Sequence, residues 1–380
     1  MAEWLARARC IIRFANMLVK LVIGSLFLFL IQLVLKNVYY MGYHLHYNEH
    51  YPGKCEQVKG MSLGSEDFYT FKDGLTFITS GVAIQNNTFG QREYMIKHNI
   101  VGRMYLFDFN KNKAKVEELS IVGSNGNFNV KLFHPHGISG WLDKSGVKIL
   151  FVVNHEENGV DYIEKFEFIP ENKQLKHVKR YRDNTMLLVN DVQATSQDSF
   201  YFTNSGTGSG TVWTMVQLFG QLAWCTVVYF DGNNYRVVLD GLAMPNGIAM
   251  SNDGRYVYIA TSMSREIVVT ERKTNNDLIK KQVYPIYTYP DNIIVDMKTD
   301  NLYIGAHPIA YKSFQSMDIH KPAQVLMLKV KDGNITKTRE LLYNDGDLLS
   351  GSSVAIVFNS KLLIGSILDK TVLCDVNVPL

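Results

Sequence analysis

Six times between Glu66 and Ser353, one or two polar residues precede a short apolar run, a tight polar turn and a second apolar run. The copies open at Glu66-Asp67, His136, Asn190-Asp191, Asn246, Asp291-Asn292 and Ser352-Ser353. Several lead to a clear strand, as in Leu75-Thr-Phe-Ile-Thr-Ser80, Tyr256-Val-Tyr-Ile-Ala-Thr261 and Leu302-Tyr-Ile-Gly305. Their turns are alike as well: Lys72-Asp73-Gly74, Asp143-Lys144-Ser145-Gly146 and Asn252-Asp253-Gly254. Self-similarity at about 40 to 70 residues is the signature of a radial β-repeat. The pattern therefore predicts an all-β chain folded as a six-bladed β-propeller. The polar openers would converge on its axis, where acids, amides and a histidine outline a site for a hard cation.

A leader precedes the repeats. Leu21 to Leu35 is apolar apart from Gly24, Ser25 and Gln32, and Lys20 and Lys36 stand at its edges. With the flanking lysines snorkelling and Val38 to Met41 contributing it is long enough to span a bilayer, and no small-residue cleavage site follows it; the rival reading is a retained secretory signal that tethers the protein to lipid. Arg7, Arg9, Arg13 and Lys20 precede the run against Lys36 after it. The expected organisation is a cytoplasmic N-terminus over 1–19, a single transmembrane signal anchor over 20–41, a juxtamembrane linker over 42–54 and the propeller over 55–380. That is a type II membrane protein of the endoplasmic reticulum or plasma membrane, with the propeller lumenal or extracellular. A formal net charge of +3, from 39 basic and 36 acidic residues, gives no case for nucleic acid.

Cysteine usage fits an oxidising compartment. Cys55 lies just before the first repeat and Cys374 in the last strand, so a bridge between them would tie the first and last blades. Cys225 reads as a buried thiol in an apolar strand, and Cys10 as a cytoplasmic thiol. Asn86 and Asn334 head two glycosylation sequons usable only in a lumenal domain.

Val58-Lys-Gly60, Gly64-Ser-Glu-Asp67, His134-Pro-His-Gly-Ile-Ser139, Val152-Val-Asn-His155, Asn190-Asp191, Pro245-Asn-Gly-Ile248, Asp253-Gly-Arg-Tyr-Val-Tyr-Ile-Ala260 and Asp291-Asn292 together resemble the paraoxonases, calcium-dependent arylesterases and lactonases. The resemblance spans residues 55 to 374. It implies a six-bladed propeller with two calcium ions in the central tunnel. One ion would be held by Glu66, Asn190, Asn246, Asp291 and Asn292. The other would be held by Asp67, Asp191 and the backbone carbonyl of Ile138. His136 and His155 would be the histidine pair that deprotonates water. A bland reading competes, in which Asn-Gly and Asn-Asp are turn formers and the histidines pack in the wall. No Gly-x-Ser-x-Gly elbow is present, and Gly206-Thr-Gly-Ser-Gly210 lacks the lysine of a phosphate loop.

The chain also departs from the pattern. Ser205 stands where the active members carry an aspartate, Arg265 where they carry a histidine, Thr261 where they carry an acid and Met244 where they carry an aromatic residue. The stretch Thr211 to Trp224 has helical spacing and reads as a rim helix, packed on the propeller or lying against a membrane or membrane partner. Two functions follow. In one the protein resembles the membrane-anchored paraoxonase-like proteins of nematodes and serves as a chaperone or auxiliary subunit for degenerin-type sodium channels. In the other it hydrolyses a small ester or lactone. The uncleaved anchor and the altered periphery favour the helper, which is the expected function; the intact ligand set and both histidines favour the enzyme, the alternative.

Overall fold

In the computed structural model of the chain, residues 1–82, 91–111, 113–123, 128–156, 159–208, 211–313, 315–316, 318–367 and 369–379 are described. The chain divides into two compact units, Met1–Leu45 and His46–Leu380. The first is the helix α1 (Ala2–Met41). Its segment Ile11–Met41 is long and apolar enough to cross a membrane. The helix starts well before the expected 20–41 because alanine, leucine, arginine and methionine, all good helix formers, fill its first turns. It ends at Gly42, whose φ of 80° is left-handed and whose N–H donates to the Tyr39 carbonyl.

Among the described residues the regular structure of the second unit is mostly strand, with a few short helices of which the first is α2 (Gln91–Lys97). β1 (Cys55–Gln57) comes first. Then follow β2 (Phe68–Thr70), β3 (Leu75–Ser80), β4 (Arg103–Asp108) and β5 (Val116–Val122), which form one antiparallel meander. The second meander is β6 (Pro135–Leu142), β7 (Lys148–His155), β8 (Asp161–Ile169) and β9 (Gln174–Tyr181). The third is β10 (Val189–Ala194), β11 (Phe200–Asn204), β12 (Cys225–Phe230) and β13 (Tyr235–Leu242). β14 (Pro245–Met250), β15 (Tyr256–Thr261), β16 (Glu266–Arg272) and β17 (Leu278–Pro285) make the fourth. The fifth is β18 (Tyr289–Val295), β19 (Leu302–His307), β20 (Ala323–Lys331) and β21 (Asn334–Asn344). The last three strands, β22 (Val354–Phe358), β23 (Lys361–Gly365) and β24 (Val372–Asp375), accept β1 as their fourth. The first two meanders join edge to edge through a parallel β5–β9 pairing.

The first strands lie against one another in cyclic order, β2, β6, β10, β14, β18, β22 and back to β2. The fold thus resembles the closed sheets of a β-propeller. Aromatic and aliphatic side chains fill the space between neighbouring meanders; Phe151, Tyr181, Phe200, Phe202 and Phe230 pack between the second and third. Closure is covalent, because Cys55 pairs across the β1–β24 ladder with Cys374 and the two are disulfide-bonded. The ring's last sheet is therefore built from both ends of the unit.

Candidate active site and cation centre

The first strands of four meanders carry a register shift at the polar opener: between Pro135 and Ile138, Val189 and Val192, Pro245 and Ile248, and Pro290 and Ile293. A β-bulge inserts an unpaired residue and re-aims its side chain. The residues bracketed are His136 and Gly137, Asn190 and Asp191, Asn246 and Gly247, and Asp291 and Asn292. The reading of Asn246-Gly247 as a turn is overturned, since both lie inside β14. The glycines serve close approach: a Cβ at Gly137 would collide with Asp191, and one at Gly247 would sit 2.6 Å from the Asn292 Cα. Threonines of the second strands cap the openers in the same way twice. Thr79 Oγ1 accepts from the Asp67 N–H at 3.1 Å, and Thr203 Oγ1 from the Asp191 N–H at 3.1 Å.

The carboxylates of Asp67 and Asp191 are held alike. Asp67 accepts from the N–H groups of Phe68 (2.8 Å) and Ile138 (2.9 Å). Asp191 accepts from those of Val192 (2.7 Å) and Ile248 (2.7 Å). Ile138 thus meets Asp67 through its N–H. Asn292 Nδ2 donates to Glu66 Oε1 at 2.8 Å, and Asp291 Oδ2 lies 2.9 Å from His307 Nε2. Burial pushes the carboxyls of Glu66, Asp67 and Asp191 well above their ordinary range, and neighbouring carboxylates push them further. Bonds from Glu66, Asp67, Asp191 and Asp291 among the described residues run to backbone N–H groups, an amide and histidines, never to lysine or arginine.

Four buried side-chain oxygens here have no hydrogen-bond partner: Glu66 Oε2, Asn190 Oδ1, Asn246 Oδ1 and Asn292 Oδ1. A buried polar atom without a partner costs about 1–3 kcal/mol, so four in one place ask for a ligand. The set is oxygen-only and mixes amides with a carboxylate, which suits calcium and not zinc. Among the described residues no group of three or more histidine, cysteine, aspartate or glutamate side chains is arranged around a metal position. The fit therefore rests on the amide oxygens.

The histidine pair borders this set. His136 Nδ1 lies 2.8 Å from His155 Nε2, and His136 Nε2 lies 3.3 Å from Glu66 Oε1. Burial lowers the His136 imidazolium pKa to about 4, so the ring is neutral at pH 7. His155 in turn meets a residue that the sequence reading missed. Asp161 Oδ1 lies 2.8 Å from His155 Nδ1, and its other oxygen accepts from the Val189 N–H at 2.8 Å. Burial pushes Asp161 up, yet the bond to His155 and the bond from the Val189 N–H hold the carboxyl below the usual range. The signal was present in the hairpin: His155 and Asp161 are directly opposed where β7 turns into β8.

The departures take other roles. Ser205 Oγ donates to the Pro245 carbonyl at 2.6 Å, and Thr261 Oγ1 to that of Glu266 at 3.0 Å. Arg265 is buried with its guanidinium 5.9 Å from the Tyr289 ring centre, and Met244 has a left-handed φ of 56°. The rim helix α3 (Thr211–Gly220) turns its apolar spacing outward rather than onto the propeller. Trp213, Val216 and Phe219 are exposed, while Gln217 is buried and its Nε2 donates to Cys225 Sγ at 2.7 Å. Cys225 is a free buried thiol, as its apolar strand predicts. Asn334 opens β21, and Asn86 and the side chain of Cys10 lie outside the described residues.

The ring of meanders and the buried histidine pair beside orphaned oxygens define a propeller-type protein with a hydrolase-like centre. Residues 48–376 match the arylesterase family. The chain is 35% identical over 322 residues to the serum paraoxonase/arylesterase 1 of Homo sapiens, covering 84% of this chain and 88% of that protein. It is 34% identical over 323 residues to the serum paraoxonase/arylesterase 2 of Gallus gallus, covering 84% and 88%. With the serum paraoxonase/lactonase 3 of Oryctolagus cuniculus it shares 32% identity over 325 residues, covering 85% and 89%. A solved structure assigned to the gluconolactonases superimposes with a TM-score of 0.51 at 13% identity, over 86% of this chain and 93% of that one, which speaks to the fold alone. The chain belongs to the paraoxonase/arylesterase family.

Proposed function

We propose that the protein is a calcium-dependent arylesterase or lactonase, a six-bladed propeller around a calcium-binding tunnel, tethered to a membrane by α1. The observation that carries this reading is the buried His136–His155 pair, 2.8 Å apart, with His136 Nε2 directed at the oxygen-lined centre. A neutral His136 can take a proton from water at Nε2, and His155 holds its ring through Nδ1. Glu66, Asn190, Asn246, Asp291 and Asn292 would hold one calcium ion, and Asp67, Asp191 and Ile138 the other. When bound, calcium supplies a Lewis acid that polarises an ester or lactone carbonyl and offsets oxyanion charge. Curated relatives named as arylesterases and a lactonase support the same reading.

The placement we infer is type II, with the propeller lumenal or at the cell surface. The basic residues ahead of the apolar run support it, as does a disulfide that suits an oxidising compartment. The exposed Trp213, Val216 and Phe219 on α3 fit a membrane-apposed face. The helper reading, with degenerin-type channels as partners, draws nothing from these relatives. Its ground in the altered periphery also narrows, since Asp161 puts a carboxylate on His155.

The test is hydrolysis of phenyl acetate and a lactone by the full-length protein, with and without calcium. Wild type should turn over both only with calcium. His136→Gln should lose about 100- to 10,000-fold in rate while remaining folded. A wild type inert on both substrates at saturating calcium would overturn the enzyme reading, and a His136→Gln variant that still supports partner surface levels would then favour the helper.

A further inference from the structure

We propose that Asp161 is the positioning residue of the histidine pair, fixing His155 with its proton on Nδ1 and thereby leaving His136 Nε2 without one. The inference rests on the hydrolase reading for its consequence but not for its geometry. Asp161 is 3% exposed and opens β8 directly opposite His155. Its two oxygens are divided: one lies 2.8 Å from His155 Nδ1, and the other takes the Val189 N–H at 2.8 Å. An ionised carboxylate only accepts, so the hydrogen of that contact belongs to His155 Nδ1. With that one hydrogen His155 offers a lone pair at Nε2, and the 2.8 Å contact to His136 Nδ1 is then a hydrogen bond that His136 donates. That donation takes up the hydrogen on His136 Nδ1 and turns its Nε2 toward the oxygen-lined centre, 3.3 Å from Glu66 Oε1. One carboxylate sets two tautomers in series.

The second oxygen matters equally. Val189 immediately precedes Asn190 and Asp191, so Asp161 joins the histidine pair of the second meander to the bulge of the third. Rotation of the carboxylate is blocked at both ends, which fixes the plane in which His155 must lie. Ser205, which stands where the active members carry an aspartate, does not take this role, since its hydroxyl donates to the Pro245 carbonyl.

Asp161→Asn is the decisive variant, because it keeps the shape while reversing the polarity. The amide oxygen can still take the Val189 N–H, leaving the amide nitrogen to donate to His155 Nδ1. That moves the His155 proton to Nε2 and, through the contact with His136, places a proton on His136 Nε2. The expected result is a fall of about 100- to 10,000-fold in kcat for phenyl acetate, with KM within about threefold of wild type. Calcium affinity and melting temperature should hold. Nitrogen-15 spectra of the histidine-labelled full-length protein should show His155 change from the Nδ1–H to the Nε2–H form. Asp161→Ala, which leaves both tautomers open, should give an intermediate loss and guards against a folding defect peculiar to the amide. An Asp161→Asn protein with the wild-type tautomer, or with kcat within about threefold of wild type, overturns the proposal. A wild type that hydrolyses neither ester nor lactone overturns the functional reading, and the nitrogen-15 comparison then decides the role of Asp161 by itself.

Discussion

Two buried acidic clusters lie within the same sheet system and are neutralised in opposite ways. Around Glu164, behind the histidine pair, the carboxylate is wholly buried, and its oxygens meet Asn154 Nδ2 at 2.9 Å, His177 Nε2 at 3.0 Å and Arg180 Nε at 2.9 Å. Arg180 also binds Glu156 at 2.6 Å. Asn154 Oδ1 takes the His134 N–H at 2.9 Å, so the cluster reaches the strand that carries His136. Around Glu66, among the described residues, no lysine or arginine is bonded: carboxyls sit raised by burial and by one another, and four oxygens have no partner. The first cluster is complete in itself, whereas the second leaves buried oxygens without a partner. A buried charge set that the chain leaves open is a place where a ligand belongs.

Removing calcium should divide the two clusters most sharply. Chelation should abolish ester hydrolysis and cost about 4 kcal/mol of stability for each ion present at a thousand times its Kd. Calorimetry of the full-length protein with chelator, then with calcium restored, measures it. A melting temperature indifferent to chelator would mean that the tunnel oxygens are satisfied some other way.

Breaking the self-sufficient cluster should do the reverse. Glu164→Ala leaves Arg180 and His177 without their shared acceptor and should destabilise by about 3–5 kcal/mol, by the same amount with calcium or without it. A loss that vanishes at high calcium would show that the clusters are one unit, against the contrast drawn above.

The smallest effect is one of acidity, and its sign separates the two states of the tunnel. Glu66, Asp67 and Asp191 have folded pKa values raised above their unfolded ones. In the calcium-free protein their contribution to stability is therefore fully present below the ordinary carboxylate range, near pH 4, and is lost as pH rises through the raised values. The calcium-free protein should melt higher at pH 5 than at pH 7. The calcium-loaded protein should do the opposite, because protons then compete with the ion. Parallel pH slopes in the two states would contradict a calcium site built on these carboxyls.

Much of this was legible along the chain. The spacing of Glu66-Asp67, Asn190-Asp191, Asn246 and Asp291-Asn292 ahead of apolar runs announced the meanders and their inward openers, because the alternation of strand and turn is local and recurs in every copy. Cys55 and Cys374 marked the two ends that the ring joins, and α1 was plain from its unbroken apolar length, though not its start at Ala2. What the sequence could not decide depends on register. A bulge shifts a strand by one residue, and only the paired strand reveals that Asn246-Gly247 is such a shift and not a turn. Asp161 meets His155 because a hairpin closes with those two residues opposed. Gln217 turns inward and Trp213 outward because the neighbour of α3 is the Cys225 thiol, a polar contact that helical periodicity does not encode. Local patterning set the strands, their order and the chemistry of their first residues. Which oxygens remain without a partner, and which carboxylate holds the histidine, were settled only when residues far apart in the chain met in the folded ring.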